Sequence, residues 1–194
     1  MDVIQLHAAA ASLAPGFQGR SLRAVAGTDQ ALDLRFGEPP FLRIALSGKY
    51  RGFYPLSEAA VDPEGAFAAY LHQRLAGFQL EALDHPWPDR VLVLRFARKR
   101  LTGKYDRRAL VVELLGNHCN AALLTADERV DRPLHRPDLT DPDARLLPGM
   151  AYEPPAPPGG GAPDWNLLDG APPAELDLSG SGKELAARGG PLPP

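Results

Sequence analysis

Apolar residues recur at Val3, Leu6, Ala10 and Leu13, a spacing that lines one helical face. Asp2 stands where its carboxylate can accept the free N–H groups of a first turn, and Pro15-Gly16 is expected to stop the helix. The period then changes to two. Leu32, Leu34 and Phe36 alternate with Asp33 and Arg35, and after Gly37-Glu38-Pro39-Pro40 the residues Leu42, Ile44 and Leu46 alternate with Arg43 and Ala45. This predicts a hairpin with one dry face. Gly48 and Gly52 bracket a short extended piece, Tyr50 to Tyr54. A second helix is expected from Asp62 as N-cap and Pro63 at the first helical position, with Phe67, Tyr70, Leu71 and Leu75 as its apolar stripe and Gly77 as a left-handed stop.

Three strands should follow. Phe78, Leu80, Ala82 and Asp84 make the first. Val91 to Phe96 is apolar on both faces and so reads as central, and Ala109 to Leu115 is the third. A short run, Ala121 to Leu124, comes after the turn signal Gly116-Asn117. The order helix, strands, helix, strands predicts an α+β domain, mostly antiparallel sheet or sandwich with flanking helices. From Asp131 onward the prolines Pro133, Pro137, Pro142, Pro148, Pro154, Pro155, Pro157 and Pro158 are expected to prevent regular pairing. Gly159-Gly160-Gly161 reads as a flexible joint, and residues 177–190 as a loop plus a short helix.

Composition narrows the class. With 194 residues, 44% hydrophobic and 23% charged, the chain has an ordinary globular make-up, long enough for one domain or one domain and the start of another. The single cysteine, Cys119, excludes a disulfide framework and a cysteine-cluster zinc site, and suits a reducing compartment. No apolar run approaches the roughly 20 residues of a membrane span. The start of the chain lacks the basic segment of a secretory signal, so a cytoplasmic location is expected. Phosphate-binding glycine loops, a nucleophile elbow and a metal-ligand set are all missing from the pattern, so no cofactor, metal or catalytic residue is expected.

The net charge of −3 conceals a strong local asymmetry. Arg90, Arg95, Arg98, Lys99, Arg100, Lys104, Arg107 and Arg108 fall within nineteen positions, opposed there only by Asp106. If the flanking strands pair, Arg98, Lys99, Arg100, Lys104, Arg107 and Arg108 surround a hairpin tip suited to phosphate contacts. The same charges would also serve as a solubilising edge. Asp89-Arg90 places a carboxylate beside a guanidinium and could read a ribose or phosphate edge, or could pair within an ordinary turn. Glu113, in an otherwise apolar strand, must face water or have a partner. His118-Cys119 has no second cysteine or suitably spaced histidine after it, and an isolated cysteine is most often a packing residue.

Read in order, several segments resemble the NFACT-N domain of the RqcH family, also known as fibronectin-binding protein A. Phe67 to Gly77 is similar to the family's F-x-x-x-L-R-K-x-L-x-G helix, with His72-Gln73 in place of Arg-Lys. Pro88-Asp89-Arg90-Val91-Leu92 resembles its Asp-Arg motif. Val112 to Asn120 resembles V-E-L-M-G-R-H-S-N, with Asn117 in place of arginine, and Leu146 to Pro155 resembles L-x-P-G-x-x-Y-x-P-P. The resemblance implies a fold similar to the N-terminal domain of formamidopyrimidine-type DNA glycosylases over residues 1–155. A proline- and glycine-rich linker would follow over 156–174, and the start of an incomplete helix-hairpin-helix module over 175–194. The chain would then be an N-terminal fragment or a truncated family member.

The implied function is ribosome-associated quality control: binding the large ribosomal subunit with stalled peptidyl-tRNA, and supporting C-terminal alanine tailing. Its partners would be that subunit and tRNA, alanine tRNA first, with no membrane. Asp89, Arg90, Glu113, Leu114 and Leu115 are the positions implied to bind tRNA. The competing expectations are a fibronectin-binding adhesin and a truncated member without ribosome activity. A DNA glycosylase is disfavoured, because Met1-Asp2 stands where such enzymes have an N-terminal proline nucleophile.

Overall fold

The computed structural model describes residues 3–58, 65–86, 90–115, 118–138, 140 and 145–155. The expectations for Asp2, Asp62-Pro63, Asp89, Gly116-Asn117 and the chain from residue 156 onward lie outside the described residues.

Helix α1 (Val3–Phe17) buries Leu6, Ala10 and Phe17. It runs through Pro15 instead of stopping there. A proline in the last turn has a φ compatible with the helix and forfeits only one backbone bond. The chain turns at Gly19, whose φ of 79° suits glycine and whose N–H donates to the Leu80 carbonyl at 2.8 Å.

Four short strands follow: β1 (Ala24–Gly27), β2 (Ala31–Arg35), β3 (Phe41–Ala45) and β4 (Gly52–Leu56). They form an antiparallel sheet in sequence order. The expected hairpin is β2–β3, with Leu32 opposite Ile44 and Leu34 opposite Leu42. Its polar face is not simply wet. Asp33 is only 1% exposed and accepts two bonds from Arg43, directly opposite, at 2.7 and 2.8 Å. The extended aromatic piece begins at Gly52; Tyr50 lies in an exposed turn before it.

Helix α2 (Ala66–Leu75) buries Phe67, Ala68, Leu71 and Leu75. Its N-cap is Gly65, later than the Asp62 cap expected from sequence, and no side chain caps it. Gly65 N–H donates instead to the Gly27 carbonyl at 2.7 Å, so the helix starts by docking on the end of β1. Gly77, with φ of 80°, closes the helix as expected.

The second sheet is a five-stranded meander: β5 (Gln79–Asp84), β6 (Val91–Lys99), β7 (Tyr105–Glu113), β8 (Asn120–Leu124) and β9 (Val130–Pro133). In β5 a bulge between Leu80 and Ala82 shifts the alternation, so Leu83 faces inward as well as Leu80. Strand β9 corrects the expectation that prolines end all pairing after Asp131. It is an edge strand, where Pro133 lacks only a donor that no neighbour needs.

The β6 pattern is explained by two cores. Leu92, Leu94 and Phe96 join the main core with both helices and the first sheet. Val91 and Val93 face the other way, into a smaller cluster with Val111, Leu124, Val130 and Leu146. That cluster is covered by the returning segment 145–155, which hydrogen-bonds to the β9 edge through Val130 N–H to Met150 O (2.9 Å) and Gly149 N–H to Val130 O (2.7 Å). Among the described residues no helix is long and apolar enough to cross a membrane.

Candidate nucleic-acid interface

Pairing of β6 with β7 sets the geometry of every candidate residue. Val91 opposes Glu113 at one end and Lys99 opposes Tyr105 at the other. Arg90 stands immediately before β6, and its carbonyl accepts the Leu114 N–H at 2.8 Å. Two motifs more than twenty positions apart in the chain thus meet at one end of the sheet, Arg90 beside Glu113-Leu114-Leu115.

These residues do not present themselves alike. Arg90 and Leu115 are half-buried, whereas Glu113 is 3% and Leu114 7% exposed. The Glu113 carboxylate accepts bonds from Arg145 and, at 3.2 Å, from the Tyr152 hydroxyl. The sequence left open whether Glu113 faces water or a partner; the fold supplies two partners from the returning segment. Leu114 packs in the main core. Both side chains are therefore used internally, and a ligand would meet Arg90 and Leu115 here.

Cys119, half-buried, packs against the main core at this same end. Burial pushes its thiol above the usual value of 9.0, and the nearby guanidiniums of Arg51 and Arg90 pull in the opposite direction. Arg51 comes from the first sheet, just before β4, and was not singled out from sequence. Only the fold brings it within reach of the Cys119 thiol that Arg90 also influences, because Arg51 and Arg90 belong to different sheets.

The basic hairpin lies at the opposite end of the same strands. Nine-residue strands rise roughly 3.3 Å per residue, so the hairpin stands about 25–30 Å from Arg90. The turn closes with Arg100 N–H on Lys104 O (2.8 Å) and Gly103 N–H on Arg100 O (2.9 Å). Leu101 projects fully exposed from its tip. Sequence proximity suggested Asp106 as the lone counter-charge, but the sheet recruits others. Arg100 binds Asp106 at 2.8 Å and Arg98 reaches it at 3.6 Å. Arg107 pairs with Glu81 across the sheet (3.3 Å) and Arg108 with Asp131 (3.0 Å). Among the described residues Lys99 and Lys104 form no ion pair. The hydrogen bond from Arg100 holds the Asp106 carboxyl below its usual value. The structure thus separates the candidate residues into two regions and neutralises part of the hairpin charge.

The family model for NFACT N-terminal and middle domains matches residues 2–166. The chain belongs to this family. Solved structures share its fold. The N-terminal domain of fibronectin-binding protein PavA from Streptococcus pneumoniae superposes with a TM-score of 0.71 at 18% identity, covering 87% of this chain and 67% of that one. The N-terminal part of the fibronectin/fibrinogen-binding protein FBPS from Streptococcus suis gives 0.68 at 18% identity, covering 80% of this chain and 60% of that one. A fibrinogen-binding protein from Staphylococcus aureus gives 0.63 at 15% identity, covering 80% and 56%. This NFACT-N chain therefore spans about 60% of the Streptococcus suis structure, and the likeness is one of fold. No curated protein matches the chain.

Proposed function

We propose that this NFACT-N domain is the tRNA- and large-ribosomal-subunit-binding module of a cytoplasmic ribosome-associated quality control factor, acting by binding and not by catalysis. In that role it supports C-terminal alanine tailing of stalled nascent chains. The observation that carries the reading is the meeting of Arg90 with the Glu113-Leu114-Leu115 strand end. The motif resemblance implies tRNA contact for both motifs, and pairing of β6 with β7 brings them together at one end of the sheet. In this reading Arg90 and Leu115 touch the RNA. Glu113 and Leu114 hold the strand end that positions Arg90.

The test is co-sedimentation of the chain with large ribosomal subunits carrying peptidyl-tRNA, together with filter binding of alanine tRNA across a salt series. Binding should weaken as salt rises, because phosphate contacts displace counterions. Arg90→Ala should lower tRNA affinity about tenfold with thermal stability unchanged. Capture by immobilised fibronectin, the ligand for which two structural relatives are named, with no tRNA or ribosome binding, would overturn the proposal.

A further inference from the structure

The inner face of the five-stranded sheet continues past the core as a row of arginines. Leu94, Phe96, Leu110 and Leu123 lie on the core side with Leu71 and Leu75 of α2. Opposed residues of neighbouring strands share a face. Phe96 opposes Arg108, Arg98 stands two residues beyond Phe96, and Leu123 opposes Arg132. Arg98, Arg108 and Arg132 therefore emerge on the α2 side.

Helix α2 completes the row with Tyr70 and Arg74. The Arg132 guanidinium lies 4.7 Å from the Tyr70 ring centroid and that of Arg74 lies 5.2 Å from it. Arg98 lies 4.5 Å above Phe78. Asp131 accepts from Arg108 at 3.0 Å and stands beside the Tyr70 side chain. Burial first, then Asp131, pushes the Tyr70 hydroxyl above its usual 10.0, so it remains neutral.

The local balance is positive in a chain whose net charge is −3. Among the described residues, Arg74, Arg98, Arg100, Arg108 and Arg132 face only Asp106 and Asp131 here. Guanidiniums stacked on rings are held by their faces and keep donor edges for a ligand, the fork geometry that matches phosphate. The stripe runs obliquely from β6 and β7 to β9 and α2, with no cation on β8 between. An oblique line of guanidiniums suits a ligand that carries charge along its length.

We propose that the stripe from Arg98 through Arg108 to Arg132 and Arg74 is a phosphate-backbone binding surface for RNA, distinct from the Arg90 end of the sheet. It deepens the RNA-binding reading above and rests on it. Arg132 and Arg74 are the phosphate-facing members. Arg108 and Asp131 hold Tyr70 in place.

The experiment titrates the full chain with two fluorescent probes, bulk tRNA and a short oligouridylate, over a salt series. Arg74→Gln/Arg132→Gln should raise Kd about tenfold for both probes and flatten the slope of log K against log salt by about 1–2. Arg74→Lys/Arg132→Lys keeps the charges, so its slope should stay near wild type. Melting curves confirm that both variants fold. Unchanged Kd and slope in the Gln variant overturn the stripe, even where Arg90→Ala abolishes tRNA binding. Oligouridylate binding lost in the Gln variant, without tRNA binding by wild type, upholds the stripe and overturns the tRNA reading. Failure of wild type to bind either RNA overturns both. Tighter binding of polyglutamate than of oligouridylate, lost in the Gln variant, reassigns the stripe to an acidic protein and overturns the proposal.

Discussion

At the scale of single residues, Glu113 shows what a buried charge requires. An ionised group withdrawn from water is tolerated only with a partner, and removing one partner costs more than the pair contributes. Arg145 is a third exposed, so part of its attraction is screened by solvent. Arg145→Ala should cost about 2–3 kcal/mol in urea unfolding. Adding Glu113→Gln should recover part of that loss, since the stranded charge disappears. Equal stability of the single and double variants would contradict the Arg145–Glu113 pairing. The need for a partner was readable from Glu113 in an apolar strand. The partner itself was not, because Arg145 lies 32 positions away in a proline-rich stretch without periodic pattern. Cys119 offers a second check. Its raised pKa keeps less thiolate at pH 7.5 than an ordinary cysteine has. Iodoacetamide should therefore label it more slowly in the native protein than in urea. Arg90→Ala removes one cation that favours the thiolate, so labelling should slow further; faster labelling would place Arg90 elsewhere.

Elements add constraints that single residues do not. Helix α2 can approach β1 closely because Gly65 lacks a side chain, and β1 can turn tightly into β2 because Gly27 lacks one. A Cβ on Gly27 would stand 2.1 Å from the Ala31 carbonyl oxygen, at a φ of 127°. One on Gly65 would stand 3.0 Å from the Gly27 carbonyl. Gly27→Ala should cost about 3 kcal/mol or more, through backbone strain and a clash that no rotamer relieves. Gly77→Ala meets open space and should cost only about 1 kcal/mol, for its left-handed φ. Chemical denaturation of the two variants tests this order. The hairpin carries its own pH dependence. The Asp106 carboxyl is depressed by Arg100, so its contribution is present above the ordinary value of 3.8 and fades as pH falls through the lower folded value. Asp106→Asn should lower Tm by about 1–3 °C at pH 7 and by nothing near pH 2. Long periodic elements were legible in the sequence: α1, the β2–β3 hairpin, and the β6 and β7 strands. Strands β1 and β9 were not, because four residues carry too little alternation and Pro133 argued against pairing. The stripe was equally hidden, since Arg74 and Arg132 become neighbours only when α2 packs on the sheet.

Across the whole molecule, the five-stranded sheet does different work on its two faces. One face joins the helices and the first sheet in the main core, and its margin carries the arginine stripe. Among the described residues, the other is closed by segment 145–155, through Leu146, Tyr152 and the Arg145–Glu113 contact. This closure is under tension. Leu146 has a φ of 58°, a left-handed conformation that costs a branched residue about 1–2 kcal/mol, yet it is only 7% exposed. Burial outweighs the strain. Leu146→Ala keeps the strained backbone and loses the packing, so it should cost about 2–3 kcal/mol. Leu146→Gly loses slightly more packing but relaxes the backbone. It should therefore cost no more than the alanine variant, whereas at an ordinary site glycine is worse by about 1 kcal/mol. Because Glu113 ends the strand whose neighbour Leu114 bonds Arg90, opening this closure should disturb Arg90 while sparing the stripe on the opposite face. In Leu146→Ala, the tRNA affinity that depends on Arg90 should fall about threefold or more, and oligouridylate binding should hold. Equal losses for both probes would mean that the two regions do not act separately.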